Sequence, residues 1–186
     1  MPEIIPSIER RRARRALDDR PVEREVQERI LTAATYAPSC FNKQPWRFLL
    51  VESEKGRGRV AEALPDGNYW AKRAPLYVLV ATQAELDCNM SDRREYALFD
   101  VGMATMNLQL QAVEEGLIAH PIAGFDDQRL KRSFGIPEEY ILITVVVLGY
   151  PGDTSHLSEK HAQAESSSRN REEQGKVVSQ EDWDFS

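Results

Sequence analysis

The longest periodic stretch of the sequence, from about Asp92 to Glu115, constrains the fold most because it predicts one long helix. Apolar residues recur there in alternating steps of three and four residues, which is the spacing of a single helical face. The members of this stripe are Tyr96, Phe99, Met103, Met106, Leu110, Val113 and Leu117. A stripe of about six turns favours either a central core helix or a seam between two helices.

Apolar runs elsewhere predict the strands of a sheet. Arg47 to Glu52 is expected to be a buried strand, and Leu76 to Ala81 is expected to be the next strand. Leu117 to Phe125 begins as a short strand that opens into a turn. From Ile141 to Tyr150 the run is continuous and rich in β-branched residues, which is typical of a strand buried on both faces.

Shorter helices are expected between these strands. An amphipathic helix is predicted from the apolar positions Val22, Val26, Ile30, Ala33 and Ala34. Residues 54–64 form another, ended by the turn sequence Pro-Asp-Gly at 65–67. Asp126 is suited to cap a helix that continues to about residue 134.

Length and charge limit the class of protein. The 186 residues, 41% of them hydrophobic, are enough for one globular domain with a proper core. A net charge of -6 does not favour nucleic acid or an anionic membrane as a partner. No apolar run approaches a membrane span, and the N-terminus does not resemble a signal peptide.

The cysteines and histidines predict neither a disulfide nor a metal site. Cys40 and Cys88 are the two cysteines and lie far apart in the sequence, so a disulfide framework is not expected. A reducing cytoplasm fits best with this pattern. The histidines at 120, 156 and 161 are scattered, and no zinc-like Cys/His cluster is expected.

A run of arginines lies near the N-terminus, where Ser7 could cap a short helix from about Ile8 to Arg15. Five arginines at 10, 11, 12, 14 and 15 would repel one another on such a helix unless an anionic group neutralises their charge. Two interpretations stay open: a phosphate-binding cluster, or a solvated basic face.

The segment from Ala37 to Phe48 joins a helix to a strand through a loop with two prolines, Pro38 and Pro45. Proline fixes φ and removes a backbone donor, so the loop is shaped and not flexible. Ser39, Asn42 and Gln44 place hydroxyl and amide groups along it, which suit the neutral polar parts of a ligand. Trp46 offers an apolar anchor to the core. The alternative interpretation is a purely structural connection between the helix and the strand, pinned by a buried Trp46.

Beyond Pro151 the composition becomes polar, and such a tail has little reason to fold alone. It nevertheless ends with apolar residues that need a surface to bury against, namely Val177, Val178, Trp183 and Phe185. An arm that wraps a partner subunit would provide that surface.

Taken in order, these motifs resemble the FMN-dependent nitroreductase family. The segments that carry the resemblance are Arg11-Arg12-Ala13-Arg14-Arg15-Ala16-Leu17, the loop 38–46 (PSCFNKQPW), residues 100–108, Pro121-Ile-Ala-Gly124 and Arg169-Asn-Arg171. The resemblance implies an α+β fold with a central, mostly antiparallel sheet flanked by helices. It also implies a flavin-binding domain at 1–150, and a domain-swapped C-terminal arm at 151–186 that wraps the partner of a homodimer.

The resemblance further implies one FMN at each of two subunit interfaces. Contacts from the first basic segment of one subunit would be Arg11, Arg12, Ala13 and Arg15, with Arg15 near the N1/C2 carbonyl edge of the ring. Contacts from the loop of the other subunit would be Pro38, Ser39, Cys40 and Asn42. Further contacts would come from Asn68 and Lys72 at the pyrimidine edge, the backbone of Ala123 and Gly124 at N5, and Arg169 and Arg171 at the phosphate. Ala13 stands where the family usually has Ser, so one hydroxyl contact is missing.

As to activity, the resemblance implies an oxidoreductase with a ping-pong cycle. NADH or NADPH would deliver hydride to the flavin, and a nitroaromatic, quinone or similar small acceptor would then collect the electrons. No catalytic side chain is required, and Arg15 would give electrostatic support. One alternative is a flavin-binding relative without nicotinamide turnover, such as a flavin-fragmenting, dehalogenating or sensing protein. Another is a nucleic-acid-binding module, but this predicts a basic protein with base-stacking aromatics beside the arginines, and the chain has neither.

Overall fold

The sheet has four antiparallel strands in a computed structural model that describes residues 3–185 except Asn89 and Arg93. The strands are β1 (Arg47–Val51), β2 (Leu76–Thr82), β3 (Ile118–Ile122) and β4 (Ile141–Gly149). Their spatial order is β1-β2-β4-β3, so the two longest strands lie in the centre. The prediction of a central antiparallel sheet flanked by helices is confirmed.

Helices cover both faces of this sheet. They are α1 (Pro6–Arg10), α2 (Arg24–Thr35), α3 (Glu54–Glu62), α4 (Tyr96–Glu114), α5 (Asp127–Phe134) and α6 (Glu159–Ser166). On one face, Val78 and Val80 of β2 belong to a core with α2 and α4. On the other, Tyr77 and Leu79 belong to a core with α3, α5 and a 3₁₀ segment, Asp66–Arg73. Alternate residues of one strand therefore bury against different helices.

The central strands match the sequence prediction, whereas β1 does not. Every residue of β2 is buried, and β4 is buried from Val145 to its end. In β1, Arg47 and Leu49 are exposed, although the run was expected to be a buried strand. The reason is its place at the sheet edge, where it pairs only with β2.

The predicted helix from Ile8 to Arg15 is wrong. The helix α1 ends at Arg10, and Ser7 lies inside it, because Pro6 and not Ser7 stands at its start. From Arg11 the backbone leaves the helical region. On a helix, arginines three and four residues apart would be neighbours and would repel, and an extended backbone separates them.

The long helix is confirmed as α4, but only part of its predicted apolar stripe faces the core of the chain, at Met103 and Leu117. Phe99 is 57% exposed and Met106 is 42% exposed. The apolar residues of the buried face are mostly small, namely Ala97, Val101, Ala104 and Ala112, together with Leu108. They let α4 lie close to α2 and the sheet. The helix is therefore a core helix, but through a different face from the predicted stripe.

Contrary to the sequence prediction, the structure joins Cys40 and Cys88 in a disulfide. Their Cα atoms are 6.2 Å apart, although the residues are separated by 48 positions in the sequence. Folding brings the loop after α2 beside the segment after β2, which no spacing in the sequence indicates. The expectation of a cytoplasmic location rested partly on unpaired cysteines, and it loses that support.

The segment after the arginines contacts the start of the tail. Leu17 forms an isolated β-bridge with Pro151, and the Gly152 amide donates to the Ala16 carbonyl at 2.8 Å. A side chain at Gly152 would place its Cβ 2.7 Å from backbone atoms of Leu17 and Asp18. The tail therefore begins in close backbone contact with the end of the arginine segment.

The tail then forms α6 and a 3₁₀ turn, Gln174–Lys176. Its apolar end is open to solvent in the single chain, with Val177 60% exposed and Trp183 87% exposed. In the part of the chain that the structure describes, no helix is both long enough and apolar enough to cross a membrane.

Candidate functional site

The arginine segment and the tail enclose a cavity of about 290 Å³, called here the arginine cavity. Residues predicted as cofactor contacts line it from both ends of the sequence: Arg11, Arg12, Ala13, Arg15, Arg169 and Arg171. The remaining lining comes from Ala164, Ser167, Ser168 and Asn170. Six of the predicted site residues thus come together although some 150 positions separate the two segments.

Backbone groups hold the arginine cavity in shape. The Arg169 guanidinium donates to the carbonyls of Ile8, Glu9 and Arg11 at 3.3, 2.9 and 2.5 Å. Arg12 donates to the Ser167 carbonyl at 2.7 Å. These contacts fix the arginines without neutralising them, since a carbonyl carries no net charge.

The cavity is therefore strongly positive. Burial, followed by the positive charges of Arg169, Arg171 and Arg12, lowers the pKa of Arg11. Within the described ranges, none of the five arginines that line the cavity forms an ion pair with a carboxylate. Such a cluster of guanidinium groups suits a phosphate, which it can bind through charge-assisted and bidentate hydrogen bonds. The residues present fit the phosphate end of FMN.

Two aromatic residues pack together beside Arg15, and the sequence did not indicate that they would lie there. The Arg15 guanidinium lies 5.7 Å from the centre of the Trp70 ring, and His120 stacks on the same ring at 4.6 Å. His120 is 8% exposed, and its Nδ1 lies 2.9 Å from the Arg14 carbonyl oxygen. Burial lowers the pKa of His120 to about 4, so the imidazole is neutral at pH 7. It packs under the arginines without adding another positive charge.

A second group of predicted residues meets where β3 ends. Asn68 Nδ2 donates to the Gly124 carbonyl at 2.7 Å, and a Cβ on Gly124 would lie 3.0 Å from that nitrogen. Ala123 and Gly124 are both exposed, as is Lys72 in the 3₁₀ segment that contains Asn68. The side chain of Asn68 thus holds the exposed backbone that the resemblance assigns to the flavin ring.

The loop residues line a separate cavity of about 450 Å³, called here the loop cavity. Its walls include Pro38, Ser39 and Cys40 together with residues of α4 and the segment before it, namely Met90, Arg94, Tyr96, Phe99, Asp100 and Met103. Trp46 is 6% exposed and anchors the loop as predicted. Asn42 is exposed and has a φ of 56°, a left-handed conformation that asparagine tolerates.

The arginine cavity and the loop cavity share no lining residue. A single chain therefore does not bring the two halves of the predicted flavin site into one cavity. This separation agrees with the assignment of the two halves to different subunits.

Comparison with known proteins gives a family match. A model described as the nitroreductase family matches residues 8–68 and 66–150. The chain is 31% identical over 165 residues to an Archaeoglobus fulgidus protein named "Putative NADH dehydrogenase/NAD(P)H nitroreductase", covering 86% of this chain and 91% of that one.

Two further similarities bear on the site. A solved structure described as an "oxidoreductase containing FMN" is 30% identical with a TM-score of 0.87, and the match covers 99% of this chain and 94% of that one. The 5,6-dimethylbenzimidazole synthase of Rhodospirillum rubrum is 26% identical over 166 residues, covering 75% of this chain and 77% of the synthase.

Proposed function

Because the chain belongs to the nitroreductase family, we propose that it is an FMN-dependent oxidoreductase that uses NADH or NADPH to reduce a small acceptor. Nitroaromatics and quinones are the acceptor class, and the two substrates use one open face in turn. The arginine cavity carries this proposal, because its unpaired cations stand at the residues that match the family's flavin contacts. The FMN-containing structural relative supports the choice of cofactor.

The residues of the chain divide the work of holding FMN. Arg11, Arg12, Arg169 and Arg171 bind the phosphate, while Arg15 places its positive charge near the ring edge where the reduced flavin gathers electrons. Asn68 and the backbone of Gly124 position the ring, and Lys72 lies within reach of the pyrimidine edge. When bound, FMN supplies the hydride chemistry itself, and the protein supplies position and electrostatics.

A homodimer completes this site in the proposal, with Pro38, Ser39, Cys40 and Asn42 supplied by the partner. Exposed apolar residues support a partner surface on α4, at Leu98, Phe99 and Met106. The exposed end of the tail supports an arm at residues 151–186 that reaches across the interface. Removing the residues after Pro151 should weaken both the dimer and FMN binding. A truncated chain that stays dimeric with full FMN content contradicts this part of the proposal.

The decisive experiment is an anaerobic titration of the purified yellow protein with NADH and, separately, NADPH. Bleaching of the flavin absorbance by either nucleotide, followed by its return on addition of a nitroaromatic or quinone, is the expected result. Chromatography of the released chromophore should identify FMN and not FAD. Recovery of FAD, or no flavin after reconstitution, contradicts the proposal at its first step.

The similarity to 5,6-dimethylbenzimidazole synthase favours one second candidate, a flavin-binding protein without nicotinamide turnover. The same titration separates the two. A protein that binds FMN but does not bleach with either nucleotide belongs to the second class.

A further inference from the structure

Two cysteines and two buried carboxylates meet beside the loop cavity. The Sγ atoms of Cys40 and Cys88 and a carboxylate oxygen of Asp87 all lie within 4.8 Å of one another. Asp100 is adjacent, because its Oδ2 accepts the Cys40 amide at 2.7 Å. The Asp87 Oδ1 accepts the Cys88 amide in the same way, at 2.7 Å. Each carboxylate therefore holds the backbone of one cysteine.

The two carboxylates lie close enough to interact with each other, and the second oxygen of each receives no N–H or O–H donor from the described residues. Asp87 is 7% exposed and Asp100 is fully buried, and Asp87 Oδ2 and Asp100 Oδ1 are buried without a hydrogen-bond donor among the described residues. No Lys, Arg or His in the described ranges forms an ion pair with either carboxylate. An unpaired buried carboxylate oxygen is costly, and either a proton shared by the two carboxylates or a metal cation can satisfy it.

We propose that Cys40, Asp87 and Cys88 form a redox-gated site for a zinc-type divalent cation, which is closed by the disulfide and opens when the cysteines are reduced. Two thiolates and a carboxylate are a ligand set that Zn²⁺ prefers, whereas Mg²⁺ and Ca²⁺ prefer oxygen ligands. Ligands of one tetrahedral zinc ion are roughly 3.5 Å apart, so the donors need only small side-chain movements.

The chemistry balances with a dithiol as reductant. The dithiol breaks the bond between the two Sγ atoms, supplies two electrons and two protons, and leaves as its own disulfide. The cation then displaces the two thiol protons to solvent and binds the thiolates. Because Cys40 lies in the loop while Asp87 and Cys88 lie in the segment after β2, a bound cation ties the loop to that segment without the covalent bond.

The test uses Co²⁺ as a spectroscopic substitute for Zn²⁺ on the FMN-loaded protein. Half of the sample is reduced with a phosphine, which does not compete strongly for the metal, and the other half is left oxidised. The reduced protein should bind one equivalent of Co²⁺ and absorb in the red, where oxidised flavin does not, and Zn²⁺ should remove that absorption. Absence of these bands in the reduced protein, or equal binding by the oxidised protein, overturns the proposal. Neither readout depends on nicotinamide turnover, so this result is separable from the proposed activity.

Two variants locate the site. Asp87→Asn keeps both cysteines and the side-chain shape but removes the ligand charge. It should weaken Co²⁺ binding by at least the roughly 10- to 100-fold that loss of a residue supporting a metal ligand costs. Glu85→Gln is the matched control, since it makes the same charge change on an exposed side chain of the same segment and should leave binding unchanged. Circular dichroism and FMN content report folding. If Asp87→Asn folds and binds Co²⁺ like wild type, the assignment of the metal site is wrong. If the variant does not fold, the comparison of oxidised and reduced wild-type protein still tests the proposal.

Discussion

The arginine cavity and the cysteine–carboxylate cluster concentrate charges of opposite sign in opposite surroundings. The first gathers five arginines around an open space, and the second gathers two carboxylates inside the protein. In both, backbone groups fix the charged side chains: Arg169 donates to three carbonyls, and Asp100 accepts the Cys40 amide. Because amides and carbonyls carry no net charge, these backbone contacts do not neutralise the charged groups that they hold. The difference lies in access, which is open at the arginines and controlled by a disulfide at the carboxylates.

The largest expected effect concerns the disulfide that closes the second region. Reduction should lower the free energy of unfolding by about 2 to 4 kcal/mol, since the bond closes a long loop in the unfolded chain. Urea unfolding at fixed FMN concentration, with and without reductant, measures it. The double variant Cys40→Ser/Cys88→Ser should be insensitive to reductant. If reductant leaves the urea midpoint of the wild-type protein unchanged, no disulfide closes the cysteine–carboxylate cluster. The two regions would then not differ in how a ligand gains access.

The next effect concerns the neutral imidazole beneath the arginines. His120 has a pKa lowered to about 4 from 6.5, mainly by burial, whereas the unfolded chain takes up a proton near 6.5. Stability that is fully present at pH 7 should therefore be lost as the pH falls from 6.5 towards 4, by about 2 to 3 kcal/mol in total. The variant His120→Phe keeps an aromatic ring against Trp70 and should show a shallower loss over that range. Equal pH profiles for the two proteins would mean that His120 is not held neutral.

A somewhat smaller effect tests whether Arg15 acts on the cofactor. A charge-assisted contact with the reduced ring contributes roughly 1.5 to 3 kcal/mol, and for a two-electron couple about 1.4 kcal/mol corresponds to roughly 30 mV. Arg15→Ala should thus lower the potential of bound FMN by some tens of millivolts, and Arg15→Lys should recover part of it. Arg14→Ala is the matched control, because Arg14 is exposed and does not line the cavity. If an Arg15→Ala protein still binds FMN and its potential is unchanged, Arg15 does not contact the flavin ring.

The smallest effect marks where the arginine cavity ends. Arg10 forms an exposed ion pair with Glu114 at 2.6 Å and does not line the cavity. Arg10→Ala should therefore lower the free energy of unfolding by only about 0.2 to 1 kcal/mol, and FMN affinity from equilibrium dialysis should not change. A marked loss of FMN affinity would show that Arg10 also contributes to FMN binding, and would contradict this boundary of the cavity.

Much of the fold followed from local chemistry in the sequence. The β-branched run from Ile141 requires a strand buried on both faces, and helices do cover both faces of the sheet. Asp126 caps α5 as predicted, with its carboxylate accepting the Arg129 amide at 2.9 Å. Trp46 anchors the loop because its large apolar ring is buried in the core with α2 and α4. In each case one residue or one run contains the necessary information.

The parts that failed depend on information that is not local. The helix α4 is apolar on two faces, and periodicity alone could not tell that Ala104 and Leu108 face the core while Phe99 faces solvent. The pairing of Cys40 with Cys88 depends on how the loop and the segment after β2 meet in space. The support of Arg15 by Trp70 and His120 joins three distant parts of the sequence. The resemblance to a family supplied the site residues, but it supplied none of these contacts.

The close contact of Gly152 with Leu17 has a consequence for how the chain accepts mutation. Any side chain at position 152 would push against backbone atoms of Leu17 and Asp18, which cannot rotate away as a side chain can. In a library of all single substitutions, position 152 should therefore accept only glycine, whereas Gly58 and Gly67, which have open space around them, should accept many residues. Among the tail residues that do not line the arginine cavity, composition can therefore vary widely, but the point at which the tail leaves the fold cannot.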